Sequence, residues 1–201
     1  ESLGDLDGSY LNTPKWLWES WEREYGSKNT RAIAEVHGKE PPLDITVKSL
    51  EMVEGLLKGR RLLSSSLRLF REGPVGEMGG FQDGLWWVQD VAATLPVKML
   101  GEIRGAEVID LCAAPGGKTA QLCNAGAKVS SVDVSSHRLK LLKENLGRLS
   151  FSSNIVCADI RRWRPRHLVD FVLLDAPCTG TGTIRRHPDI LHRRTLNQVA
   201  R

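Results

Sequence analysis

The chain has 201 residues, of which 41% are hydrophobic, and this length suits one domain with a small appendage. Its formal net charge is only +4, no apolar run approaches the roughly 18 residues of a membrane span, and no charged-then-apolar leader is visible. These features argue against a membrane partner, and we expect a soluble, cytoplasmic protein. Because the first residue is Glu1 rather than a methionine, we also expect a fragment of a longer protein.

Residues 1–30 predict a helical segment rich in aromatic side chains. Thr13 can cap a helix that has Pro14 at its first position. The apolar residues that follow recur at helical spacing and share one face: Leu17, Trp18, Trp21 and Tyr25. Such rings can stack on bases, but packing onto a small domain is the favoured use.

Residues 31–95 predict a small α+β module. A short strand pattern at Leu43–Val47 precedes a helical stretch at Ser49–Lys58, and Pro74–Gly80 is a glycine-rich loop. Residues 96–201 then carry the motifs on which the functional argument depends.

A strand, a turn of small residues and a helix follow one another from Glu107. Glu107–Leu111 is rich in β-branched residues, Ala113–Gly117 lets the backbone approach a ligand closely, and a helix is predicted at Lys118–Asn124. Such a unit can aim backbone N–H groups and the positive end of the helix at a carboxylate or phosphate.

Three other interpretations of this loop have to be weighed. A Walker loop is disfavoured because Cys112 stands where its first glycine belongs. A dinucleotide fingerprint has the form Gly-x-Gly-x-x-Gly, whereas this chain has Ala113-Ala-Pro-Gly-Gly-Lys118. A simple glycine turn between two core elements stays open if the stretch is taken alone.

Aspartates recur at the ends of the next three predicted strands, Lys128–Asp133, Asn154–Asp159 and Asp170–Asp175. In an open parallel sheet the ligand crevice lies outside the carboxyl ends of the strands, so we expect these ends to converge on one pocket. Asp133 lies 23 residues after Asp110, about where an acid binds the ribose hydroxyls of an adenosine.

The four cysteines have no Cys-x-x-Cys spacing, which argues against a zinc site. We expect Cys112, Cys123 and Cys157 to be small core residues, because each lies in an apolar pattern. Cys178 follows a proline just beyond a strand end, and we expect it to have a chemical role.

Positive charge is concentrated at the C-terminal end. Residues 161–201 contain nine Arg, no Lys, three Asp and no Glu, a net +6, so the first 160 residues carry −2. Arginine pairs with phosphates in a fork geometry that suits a polynucleotide, although a solvated Arg-rich face is an equally simple interpretation.

Four segments together resemble the RNA cytosine-5 methyltransferases that use S-adenosylmethionine, in particular the bacterial Sun-type enzymes of small-subunit ribosomal RNA. They are Phe81–Asp90, Val108–Thr119, Leu174–Cys178 and Ile184–Asp189. The resemblance implies a Rossmann-like α/β methyltransferase sheet, incomplete on its C-terminal side, preceded by a small α+β RNA-binding module.

The resemblance also implies roles for individual residues. The loop Cys112-Ala113-Ala114-Pro115-Gly116-Gly117-Lys118 holds the methionine part of S-adenosylmethionine, Asp133 its ribose, and Asp159 its adenine amino group. Asp175 lines the methyl-transfer site and contacts the target base. Cys178 assists product release, whereas the attacking cysteine of the family lies in a Thr-Cys motif on a later strand.

This chain contains no Thr-Cys motif. We therefore expect it to be inactive alone, with the strand at Asp170–Leu174 left as an open edge of the sheet. Two alternatives stay open: a non-catalytic RNA-binding or interaction fragment, and a methyltransferase in which Cys178 itself is the nucleophile.

Overall fold

The computed structural model of the chain describes residues 7–70 and 73–199, and these divide into two compact units. One unit combines the described residues up to Pro41 with those from Pro177 onward, and the other is Pro42–Ala176. The division at 1–30, 31–95 and 96–201 stays a prediction, and parts of it lie outside the described residues. No helix in the described ranges is long and apolar enough to cross a bilayer.

The described residues form helices α1 (Gly8–Leu11), α2 (Lys15–His37), α3 (Val91–Lys98), α4 (Gly117–Asn124), α5 (Ser136–Arg148), α6 (Ile190–Arg193) and α7 (Leu196–Val199). The strands are β1 (Leu43–Val47), β2 (Gly59–Leu63), β3 (Ser66–Leu69), β4 (Trp86–Val88), β5 (Glu107–Leu111), β6 (Lys128–Asp133), β7 (Asn154–Cys157) and β8 (Phe171–Leu174).

The long helix α2 dominates the first unit and corrects one prediction. Thr13 was expected to cap the helix, but the N-cap residue is Pro14, and no side chain caps this end. The Thr13 hydroxyl donates instead to the Ser9 carbonyl at 2.8 Å. Leu17 and Trp18 are buried as the helical spacing predicts. Gly26, at φ +75°, kinks the helix. Tyr25, which was predicted on the apolar face, is exposed, whereas Thr30 and Ala34 beyond the kink are buried.

The second unit contains two four-stranded sheets. The first is antiparallel with order β2-β3-β1-β4, and its buried face packs around Ile45, Val47 and Trp86. The helix predicted at Ser49–Lys58 was wrong: only a 3₁₀ turn at Glu51–Val53 forms, and Gly55, in the left-handed region at φ +75°, follows it.

The second sheet is parallel with order β7-β6-β5-β8, and its strands confirm the four patterns predicted from Glu107 onward. β5 pairs with β6 from Glu107↔Lys128 to Leu111↔Val132, and with β8 from Val108↔Phe171 to Leu111↔Leu174. β8 is an edge strand, and Val172 and Leu174 are more than half exposed on it. The carboxyl ends of β5 and β8 therefore meet side by side, which positions the candidate site.

Candidate functional site

The turn after β5 is shaped by residues that permit unusual backbone angles. Cys112 has φ +60° and Gly116 has φ +104°, and the Gly116 N–H donates to the Ala113 carbonyl at 2.9 Å. A Cβ at Gly116 would lie 3.1 Å from the Leu142 side chain of α5. Glycine is therefore required there both by its φ and by the close approach of α5. The turn delivers the chain directly into the first residue of α4.

A cleft of about 210 Å³ opens beside this turn. It is lined by Val88, Gln89, Asp90, Ala93, Asp110, Cys112, Ala113, Ala114, Pro115, Gly117, Lys118 and Asp175. All residues of the predicted binding loop except the buried Gly116 belong to this lining. The structure thus brings the loop and Asp175 together.

Lys118 and Asp175 form an ion pair across the cleft. Lys118 Nζ donates to Asp175 Oδ2 at 2.7 Å, and the lysine side chain is only 16% exposed whereas that of the aspartate is 60% exposed. Lys118 lies in the first turn of α4 and Asp175 directly follows β8, so the pairing of β5 with β8 creates this contact. One positive and one negative group therefore face the same small space.

Asp110 is a site residue that the sequence interpretation missed. It is 1% exposed, and its Oδ2 accepts a 2.6 Å hydrogen bond from the Thr119 hydroxyl, while its Oδ1 has no partner among the described residues. Burial raises the pKa of this carboxyl to about 6, against the opposing effects of the Thr119 hydrogen bond and the Lys118 charge. The available signal was a carboxylate inside an otherwise apolar strand, since such a group needs a partner. Because Asp110 also lines the cleft, this buried oxygen is a candidate acceptor for a ligand ammonium or hydroxyl.

Asp133 is buried against the binding loop rather than part of the cleft lining. Its Oδ2 accepts from the Ala114 N–H at 3.2 Å and its Oδ1 from the Ser135 N–H at 2.9 Å, and it is 2% exposed. The guanidinium of Arg138 lies 3.5 Å away. In this structure Asp133 therefore fixes the position of the loop.

Asp159 lies two residues past the end of β7 and also outside the cleft lining. Its carboxylate is held by the Arg161 guanidinium at 2.6–3.1 Å and by the Arg161 N–H at 3.0 Å. These hydrogen bonds lower the pKa of Asp159 to about 2. The ribose and adenine roles of Asp133 and Asp159 stay predictions.

The cysteines differ from the expected core residues. Cys112 and Cys123 are only partly buried, and Cys157 is exposed because it ends β7, the other edge strand of the sheet. Burial raises the pKa of Cys112, and that of Cys123 to about 11. Cys178 is exposed and lies in the first compact unit.

Comparison with known proteins decides the family. A family model described as 16S rRNA methyltransferase RsmB/F matches residues 97–201, just over half of the chain. The chain belongs to this family. A curated relative named Ribosomal RNA small subunit methyltransferase B, from Erwinia tasmaniensis, is 37% identical over 216 residues that cover 100% of this chain and 50% of the relative. The chain spans about half the length of the curated relatives it matches.

Solved structures agree with this assignment. The crystal structure of PH0851 superposes with a TM-score of 0.87 at 27% identity and covers 100% of this chain and 49% of that protein. A methyltransferase homolog protein from Pyrococcus horikoshii gives a TM-score of 0.76 at 27% identity, and the match covers 98% of this chain and 68% of that protein. The predicted family and the Rossmann-like α/β fold class are thereby confirmed.

Proposed function

We propose that this chain is part of an RNA methyltransferase that uses S-adenosylmethionine to methylate carbon 5 of a cytosine in small-subunit ribosomal RNA. The observation that carries the proposal is the cleft at the ends of β5 and β8, where a small-residue loop, a buried carboxylate and the Lys118–Asp175 pair meet. Membership in the RsmB/F methyltransferase family supports the same activity. A ribosomal substrate also favours a cytoplasmic protein.

The groups around the cleft fit the methionine part of the cofactor. Its ammonium matches Oδ1 of Asp110, which has no partner in the part of the chain that the structure describes. Its carboxylate matches the start of α4, where backbone N–H groups and Lys118 supply positive charge. The small side chains of Ala113 and Ala114 let the ligand approach the backbone. We therefore assign the methionine part to Cys112, Ala113, Ala114, Pro115, Gly116, Gly117 and Lys118, with Asp110 added.

The adenosine part is assigned to Asp133 and Asp159. An ionised carboxylate has about four acceptor positions, so Asp133 keeps acceptor capacity for ribose hydroxyls beside its two backbone bonds and the Arg138 guanidinium. Asp159 is paired with an exposed guanidinium, and an exposed ion pair is easily exchanged for another donor such as the adenine amino group.

The chemistry explains why a carboxyl and a thiol are needed beside the cofactor, which supplies an electrophilic methyl group. Carbon 5 of cytosine is too electron-poor to accept that group unaided. A thiolate that adds to carbon 6 makes carbon 5 nucleophilic, and a proton that the Asp175 carboxyl donates to N3 neutralises the developing negative charge. A base then removes the carbon 5 proton, and the thiolate leaves.

We assign the attacking thiolate to a Thr-Cys motif of the longer protein and the release step to Cys178. The 201-residue chain has no Thr-Cys motif, so it binds cofactor without turnover. Cys178 is exposed and thus accessible to RNA.

The arginines of the C-terminal half differ in how far they are available to phosphates. Arg185 donates to the Lys39 and Glu40 carbonyls at 3.2 and 2.7 Å and so ties the ends of the first unit together. Arg162 and Arg166 are exposed and have no ion pair among the described residues. We propose these two as phosphate contacts.

The test is a mass-spectrometric search for a covalent adduct with RNA that contains 5-fluorocytosine, because fluorine blocks loss of the carbon 5 substituent and traps the thiolate. We expect an adduct with the longer protein and none with the 201-residue chain. In the longer protein, Cys178→Ala should accumulate adduct even on ordinary RNA.

The two alternatives give different results in the same experiment. A non-catalytic RNA-binding fragment forms no adduct in either length of protein. If Cys178 is the nucleophile, the 201-residue chain forms the adduct and Cys178→Ala abolishes it.

A further inference from the structure

Residues 81–90, here called the joining segment, contact both sheet modules of the second unit: Phe81 and Trp86 pack in the core of the antiparallel sheet, and Trp87 packs in a core cluster of the parallel-sheet module. The segment contains β4, one of the two edge strands of the antiparallel sheet, and it ends at the N-cap of α3. Val88, Gln89 and Asp90 line the cleft opposite the binding loop. Trp87 is 4% exposed and packs in one core cluster with Ala113 and Ala114 of that loop. One wall of the cleft therefore belongs to the antiparallel module, and its position depends on how this segment is held.

A buried hydrogen-bond chain fixes the end of the segment nearest the cleft. Trp87 Nε1 donates to Gln89 Oε1 at 3.0 Å, and Gln89 Nε2 donates to Gln121 Oε1 of α4 at 3.0 Å. Gln121 in turn donates to the Thr94 carbonyl of α3 at 2.9 Å. All polar atoms of the two glutamine side chains are thus used inside the protein.

Arg148, in the last turn of α5, fixes the other end. Its Nη1 donates to the Phe81 carbonyl at 2.5 Å and to the Trp86 carbonyl at 3.1 Å. Its guanidinium lies 3.8 Å from the centroid of the Phe81 ring, within the range of a cation–π contact. One side chain of the parallel-sheet module thus binds the first and the middle part of the joining segment.

Gly84 lets the backbone of the joining segment approach the backbone of α5 at Arg148. It has φ +67°, and a Cβ built on it would lie 2.0 Å from the Arg148 carbonyl oxygen. The other two nearest atoms, the Arg148 carbonyl carbon at 2.9 Å and Leu149 Cα at 3.1 Å, also belong to the backbone. A side chain at position 84 therefore forces the backbones of α5 and the joining segment apart. The joining segment thus contacts both the side chain of Arg148, through the Phe81 and Trp86 carbonyls, and its main chain, at Gly84.

We propose that Arg148 and Gly84 form a docking joint that holds the joining segment as a fixed wall of the cofactor cleft, which makes Arg148 a positioning residue for cofactor binding. The inference rests on the proposed function, because it takes the ligand of the cleft to be S-adenosylmethionine. Neither Arg148 nor Gly84 lines this cleft, although Arg148 lines a neighbouring cavity of about 270 Å³ together with Pro115, Gly116 and Gly117 of the binding loop. The test therefore has to show that an effect of Arg148 on binding passes through residues 81–90 and not directly through the loop. If loosening the joint leaves the wall docked one tenth of the time, the apparent affinity falls about tenfold.

The test measures binding of S-adenosylhomocysteine by calorimetry in the 201-residue chain and four variants. Arg148→Ala and Gly84→Ala should each weaken binding about tenfold. The affinity of Arg148→Lys should lie between those of the wild type and Arg148→Ala, because lysine keeps the charge but not the planar guanidinium or its stacking on the Phe81 ring. Gly101→Ala is the matched control: Gly101 has φ +75° with nothing within 4 Å of a Cβ, so it shares the backbone strain without the clash, and affinity should not change.

Hydrogen exchange without ligand provides a second readout. In Arg148→Ala the amides of residues 81–90 should exchange faster, while those of β5 keep their protection. Unchanged affinity in both Arg148→Ala and Gly84→Ala overturns the joint, and so does faster exchange spread evenly over both sheets. If Arg148→Ala does not fold, Arg148→Lys decides by the same criteria. If the wild-type chain binds no S-adenosylhomocysteine, the proposed function is contradicted instead. The exchange rates of residues 81–90 then still show whether Arg148 holds the joining segment in place.

Discussion

Replacing Asp110 by asparagine should make the stability of the chain depend less on pH. The side chain is 1% exposed, and burial raises its pKa from 3.8 to about 6. A carboxyl whose pKa is raised by folding binds a proton more tightly in the folded state, so ionisation above that pKa destabilises the fold. Asparagine has nearly the same shape and no charge to desolvate.

The size of the effect follows from the change in pKa. A rise from 3.8 to about 6 corresponds to about 3 kcal/mol, at roughly 1.36 kcal/mol for each pKa unit. The penalty is absent below the unfolded pKa, grows between the two pKa values, and is complete above the folded one. From about pH 4 to pH 7.5, the wild-type chain should therefore lose about 2–3 kcal/mol of stability relative to Asp110→Asn.

Urea unfolding at several pH values measures this difference, with equal m-values required for the comparison. Thr119→Val is the matched control, because it removes the 2.6 Å hydrogen bond that favours the ionised carboxylate. That variant should become more dependent on pH than the wild type. Asp110→Asn should also bind S-adenosylhomocysteine about ten- to a hundredfold more weakly, since a hydrogen bond to a charged group contributes about 1.5–3 kcal/mol.

Parallel stability curves for the wild type and Asp110→Asn would refute the reasoning, because the buried carboxylate would then carry no ionisation penalty. A gain in stability that is equal at every pH would likewise point to packing rather than charge.

Three further predictions concern other parts of the chain. Gly116→Ala should cost about 1–3 kcal/mol in urea unfolding, because φ +104° strains any residue with a Cβ; a decrease of under half a kilocalorie, roughly, would contradict the loop geometry. Iodoacetamide at pH 8 should label the exposed Cys178 well before Cys123, whose pKa is about 11, as peptide mass spectrometry can follow. Replacing Arg162 and Arg166 by alanine should make the slope of log K for RNA binding against log salt concentration shallower, by about 0.7 for each phosphate that the variant no longer neutralises. An unchanged slope would favour a solvated arginine face.

The local elements of the cofactor half could be predicted because their signals are short-range. A short apolar run rich in β-branched residues identified Glu107–Leu111, and the small residues that follow identified the turn. The carboxyl ends of parallel strands share one edge of a sheet, which was enough to predict that the loop and Asp175 meet.

Other features depend on contacts that no local pattern encodes. A carboxylate within the apolar strand pattern signalled that Asp110 needs a partner, but which partner it has and how deeply it is buried are set by α4 and the neighbouring strands. Arg148 and Gly84 lie 64 positions apart in the sequence. Taken alone, Arg148 resembles a surface cation and Gly84 resembles a loop glycine. Thr13 had the residue type of a helix cap, but a competing acceptor at Ser9 takes its hydroxyl.

The most direct test of the cofactor assignment is calorimetric titration of the 201-residue chain with S-adenosylhomocysteine and, separately, with a nicotinamide dinucleotide. We expect binding of S-adenosylhomocysteine with one site, weakened in Asp110→Asn and in Asp175→Ala, and no binding of the dinucleotide. Tighter binding of the dinucleotide, or equal affinity of S-adenosylhomocysteine for the wild type and both variants, would contradict the assignment of the cleft at the ends of β5 and β8.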